Sequence, residues 1–109
     1  MAKLEKTLTG NFDTILRQIE EGVLSASMSA TLEEACDWRT TGARCSVRVF
    51  ERYGYGGRLS LHVVLFDGGD GQIHLSATAS GGSQAMFFKV NTWSEESFLD
   101  TLREVLARL

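Results

Sequence analysis

The sequence predicts an α+β fold: a two-layer sandwich with an antiparallel sheet of four to five strands. An N-terminal and a C-terminal helix cover one face, in the order α-β-β-β-β-β-α. Three observations predict it. Residues 43–80 hold three runs of alternating or near-alternating apolar residues, Cys45–Tyr53, Leu59–Phe66 and Ile73–Ser80. Glycine- and aspartate-rich turns separate these runs, as in hairpins with one buried face. On either side lies a segment whose apolar residues recur at helical spacing, and two such helices find their simplest partner in one sheet face.

Taken in order, residues 1–9 carry little pattern, and the first few are expected to be loose. Asn11 is suited to an N-cap, with Asp13 near the positive helix end. Phe12, Ile15, Leu16 and Ile19 then form one helical face, and Gly22 suits a left-handed stop. Val23 to Leu32 alternates and predicts a strand with a serine-rich outer face. Glu33 to Gly42 reads as a connection anchored by a buried Trp38. After the three central strands, Ala85 to Val90 reads as a fifth strand, although periodicity alone does not separate it from a helical turn. Ser94 is the expected cap of the last helix, with Trp93 and Phe98 as its hydrophobic staple. Phe98, Leu102, Val105, Leu106 and Leu109 make its buried stripe.

The totals narrow the class. A chain of 109 residues holds one core and a single domain, 1–109. A net charge of -3 argues against a nucleic-acid coat, which needs clustered Lys and Arg. No run of about 18 apolar residues exists to span a membrane. The first residues lack the apolar core of a secretory signal. Two cysteines without metal-type spacing fit a reducing cytoplasm.

Several stretches together carry a resemblance. Residues 29–33 (SATLE), 48–53 (RVFERY), 58–61 (RLSL), 81–92 (GGSQAMFFKVNT) and 95–99 (EESFL) resemble domain-of-unknown-function family 6054. This is a family of small bacterial proteins, chiefly from Firmicutes. The resemblance spans most of the chain and implies a cytoplasmic bacterial protein. It implies no activity, cofactor or catalytic residue.

Register can be set by aligning Val49 with Leu61 and Leu65 with Ile73, which puts the apolar sets, Cys45 included, on one face. The other face then presents Arg48, His62 and Ser76 in one row, with Arg52 and Arg58 nearby. Forked arginine donors beside hydroxyls suit an anionic or polar ligand, and an ordinary solvated face is the simpler account. His62 and His74 fall diagonally on adjacent strands, and without a third ligand they make no metal site. Gly81-Gly-Ser lacks the spacing and lysine of a phosphate loop and fits a turn. No histidine is placed by the sequence beside Cys36 or Cys45 to activate a thiol.

Phe50, Val64 and Phe66 are apolar residues on the face assigned away from the helices, where a contiguous patch would mark a contact surface. The reading is a non-catalytic cytoplasmic binding or assembly domain, homodimeric through that face. The alternative is a small enzyme or anionic-ligand-binding protein using the open face around Arg48 and His62. No cofactor, metal, membrane or nucleic-acid partner is implied.

Overall fold

The computed structural model describes residues 1–54, 57–81 and 88–109, with the backbone alone over 88–92. The elements are β1 (Ala2–Leu8), α1 (Phe12–Ser25), β2 (Thr31–Thr40), β3 (Ala43–Gly54), β4 (Gly57–Asp67), β5 (Ile73–Gly81) and α2 (Phe88–Ala107). The strands form one antiparallel sheet in the order β1-β5-β4-β3-β2. The α+β class, a single five-stranded antiparallel sheet and the two helices are as the sequence predicts, although two of the five strands lie elsewhere in the chain.

The order of elements differs at the N-terminus. Residues 2–8, in a stretch that carries little pattern and whose first few residues are expected to be loose, form an edge strand paired with β5 from Ala2–Ala79 to Leu8–Ile73. Helix α1 then carries the chain across the sheet to the opposite edge, where β2 begins. Asn11 caps α1 as expected, its Oδ1 accepting from the Thr14 N–H at 2.9 Å.

Gly22 does not stop α1, which continues to Ser25 and buries Val23. The glycine serves a different purpose. A Cβ at residue 22 would collide with the Val105 side chain, so Gly22 lets α1 lie close against α2. The strand expected over Val23–Leu32 is therefore helix, then a turn, and only its last two residues are strand. Small Ala and Ser side chains alternate there without the bulk that favours strands. The expected connection, Glu33–Gly42, is most of β2.

The core lies between the sheet and the helices. Leu59, Leu61, Val63 and Leu65 of β4 and Ile73, Leu75, Ala77 and Ala79 of β5 meet Ile15, Ile19 and Val23 of α1 and Phe98, Leu99 and Leu102 of α2. Of the expected fifth strand, residues 85–87 lie outside the described residues and the backbone of 88–90 is helical. Ser94 is consequently inside α2, six residues from its start, and cannot cap it. Leu109 is exposed rather than part of the buried stripe.

Candidate functional site: the uncovered sheet face and the arginines beneath it

The register of β3 decides which residues face solvent. Phe50 stands opposite Leu61, Arg48 opposite Val63 and Arg52 opposite Leu59. This is one residue away from the expected alignment of Val49 with Leu61, and a one-residue slip exchanges the two faces of a strand. The cause is the hairpin. Gly54 pairs with Gly57, which leaves two residues between the strands and fixes every pair above them.

Three expectations are corrected by that slip. Phe50, expected at an interface, is 0% exposed in the core. Arg48 and Arg52, expected on the open face, point beneath the helices. The Arg48 Nε donates to Glu20 Oε2 at 2.7 Å, and its Nη1 donates to Asp37 Oδ1 at 3.0 Å and the Val47 carbonyl at 2.9 Å. Burial opposes the Arg48 charge, but its bonds to Glu20 and Asp37 outweigh it and hold its pKa above the usual value. Long arginine stems suit this part of the sheet, where they reach from β3 up to the helices.

Of the remaining expected ligand residues, His62 is exposed on the open face opposite Thr78. Ser76 is half-buried opposite Val64. Arg58 is held at the far end by Glu51 and by Glu33, the latter at 3.7 Å. The structure thus does not bring Arg48, Arg52, His62 and Ser76 together. His62 and His74 are separated by two rows, because His74 stands opposite Phe66. At about 3.4 Å per residue that is roughly 13 Å. Among the described residues no three His, Cys, Asp or Glu side chains cluster where they could hold a metal ion.

What the open face presents across β2, β3 and β4 is largely apolar. One row across the sheet reads Trp38, Cys45, Phe66 and His74, and the next reads Cys36, Val47, Val64 and Ser76. Trp38 is 60% and Phe66 42% exposed, while Cys36, Cys45, Val47, Val49 and Val64 are half-buried beside them. The expected interface residues Val64 and Phe66 do lie on this face. Trp38, expected to be buried, joins them, as does Cys45, expected in the core. Burial and the nearby Cys36 push the Cys45 thiol pKa up, away from reactivity.

A notch of about 130 Å³ opens between Trp38, Cys45 and Phe66. A second hollow of about 320 Å³ lies on the other side of Phe66, beside Val64, His74 and Ser76. Phe66 stands as a ridge between two hollows. Trp38 was findable in the sequence: reading 31–40 as a strand of alternating direction puts Cys36 and Trp38 on one face.

The family model described as "Family of unknown function (DUF6054)" matches residues 1–109. The chain belongs to this family. Its resemblance to family 6054 in the stretches quoted above is thereby established over the whole length. No curated protein and no solved structure matches this DUF6054 chain. No helix among its described residues is long and apolar enough to cross a membrane.

Proposed function

We propose that this DUF6054 protein is a non-catalytic assembly domain of the bacterial cytoplasm, homodimeric through its uncovered sheet face. One observation carries the reading: the contiguous patch of Trp38, Cys45, Val47, Val49, Val64 and Phe66 on a face that neither helix covers. Single exposed apolar residues are ordinary, but a contiguous patch rimmed by polar side chains marks a contact surface. Here Lys3, Glu5 and Thr7 of β1 and Glu34 and Glu51 on the other side form the rim.

A second copy is the occupant that the shape favours. Under a two-fold axis one patch meets its own image, and the Phe66 ridge of one copy can enter the hollow beside Phe66 of the other. The size is suitable. Five strands about 4.8 Å apart and some eight residues long make a face on the order of 650 Å². That approaches the roughly 800 Å² that each partner buries in a standard interface. Two sheets stacked this way give an α-β-β-α sandwich with its inner faces interdigitated. Free thiols at Cys36 and Cys45 support a reducing compartment.

Sedimentation velocity on the wild type and on a Trp38→Glu, Phe66→Glu double variant tests the reading. The expected result is a dimeric wild type and a folded, monomeric variant. A monomeric wild type refutes it, and a variant that remains dimeric moves the interface elsewhere.

A further inference from the structure

Strand β3 directs three arginines under the helices at intervals of four residues, and only two of them meet a carboxylate. Arg44 lies 4.0 Å over the Phe12 ring and forks onto Asp13, with Nη2–Oδ1 at 2.8 Å and Nη1–Oδ2 at 3.2 Å. Arg48 is held by Glu20 and Asp37. Arg52 lies 4.3 Å over the Phe98 ring, the same stacking as Arg44. Among the described residues, however, its guanidinium donates only to hydroxyls, Thr101 Oγ1 at 3.1 Å and Ser97 Oγ at 3.2 Å.

No carboxylate among the described residues pairs with Arg52, and residues 55–56 and 82–92 contain no Asp or Glu. Burial draws its pKa below the usual arginine value, and among the described residues no carboxylate offsets that loss of hydration. A partly desolvated charge without a counter-charge is unfavourable. Two of its five N–H groups are taken by Ser97 and Thr101, which fix the fork and leave the rest to donate.

The free side of this guanidinium meets a cavity of about 680 Å³, lined by Ser27, Arg52, Tyr53, Leu59, Trp93 and Ser97 among others. That volume is typical of small-molecule sites. One end is cationic and hydroxyl-lined. Among the described residues the other walls include Leu59 and the exposed rings of Tyr53 and Trp93. Gly54 is in the same wall, and a Cβ there would require the Leu59 side chain to shift.

We propose that this cavity binds a small monoanion, a carboxylate carried on an apolar or aromatic body, with Arg52 as its counter-ion. A single described cation in the lining fits one negative charge rather than a polyphosphate. The planar fork fits the two oxygens of a carboxylate. The rings and Leu59 fit an apolar body. The cavity is on the helix-covered side of the sheet, so it does not depend on the dimer.

The test is an NMR titration of the ¹⁵N-labelled chain with acetate, phenylacetate, indole-3-acetate and the neutral phenylacetamide. Saturable shifts are expected at the Trp93 indole N–H and the Ser97 amide with the aromatic acids. The amide should bind at least about tenfold more weakly, a loss of about 1.4 kcal/mol. Arg52→Gln should abolish the preference for acid over amide, and Arg52→Lys should keep part of it. The acid–amide comparison uses the unaltered chain, so it decides even where Arg52→Gln fails to fold. Equal binding of acid and amide, shifts centred away from Trp93 and Ser97, or no saturation by any acid below about 10 mM overturns the proposal.

Discussion

Phe50 of β3 stands directly opposite Leu61 of β4, and both are fully buried beneath the helices. That pairing places Arg44, Arg48 and Arg52 under the helix layer and gives Cys45, Val47 and Val49 to the open face. The ligand residues expected on one surface are thereby divided between two. The charged chemistry lies on the covered side and the apolar patch on the uncovered one.

The face assignment on β4 predicts unequal costs for adjacent residues. Val63 is buried opposite Ala77 and Arg48, whereas His62 is exposed. Val63→Ala should destabilise by about 1–3 kcal/mol through lost burial and a partly unrelaxed cavity. His62→Ala should change stability by less than about 0.5 kcal/mol. Urea unfolding of the two variants checks this, and equal losses would contradict the assignment.

The arginines predict a similar contrast. Arg48 is 7% exposed and bonded to two acids and two carbonyls, while Arg58 lies at the surface. Arg48→Met leaves Glu20 and Asp37 without their partner and should cost about 1–3 kcal/mol. Arg58→Met breaks only the surface pairs with Glu51 and Glu33 and should cost about 0–1 kcal/mol. Thermal melts of both variants would show whether the deeper arginine carries the larger share.

Gly22 and Val105 predict a coupling between the helices. Alanine gains about 1 kcal/mol of helix propensity over glycine, yet a methyl group at residue 22 meets the stiff Val105 side chain. Crowding of this kind typically costs about 1–3 kcal/mol. Gly22→Ala should therefore destabilise the wild type but be neutral or favourable in a Val105→Ala background. A double-mutant cycle measures that coupling, and additive effects would show that the helices do not meet there.

Acid should weaken the fold through Asp37. Its hydrogen bond from Ser46, followed by that from Arg48, holds its carboxyl pKa below the ordinary value. A group with a depressed folded-state pKa stabilises above its unfolded pKa, about 3.9, and that contribution is lost as pH falls through the folded value. Asp13 and Asp70 are shifted in the same direction. Stability should thus be maintained from neutral pH to about 4 and decline below it. Asp37→Asn should be less stable at pH 7 and show a shallower decline. Denaturation curves at pH 7, 4 and 3 would reveal it, and parallel profiles would deny Asp37 that role.

The class of fold, the three central strands, the capped start of α1 and the buried Phe98, Leu102, Val105 and Leu106 of α2 were legible in the sequence. Each depends on local periodicity or on a side chain bonding its own neighbouring backbone. Tertiary structure alone decided the rest. Lys3, Lys6 and Glu5 obscure the alternation of β1, which is a strand because β5 offers it an edge. Gly22 reads locally as a helix stop, and only the approach of Val105 shows why a glycine sits inside a helix. On β3 two alternating sets compete for the core, Cys45, Val47 and Val49 against Arg44, Arg48, Phe50 and Arg52. Hydrophobicity favours the first. The second is buried because the two-residue hairpin sets the register, while Asp13, Glu20, Asp37 and the Phe12 and Phe98 rings, distant in sequence, receive the guanidinium groups. Side chains that far apart along the chain leave no periodic trace, so the cavity at Arg52 and the patch around Trp38 exist only once the sheet has formed.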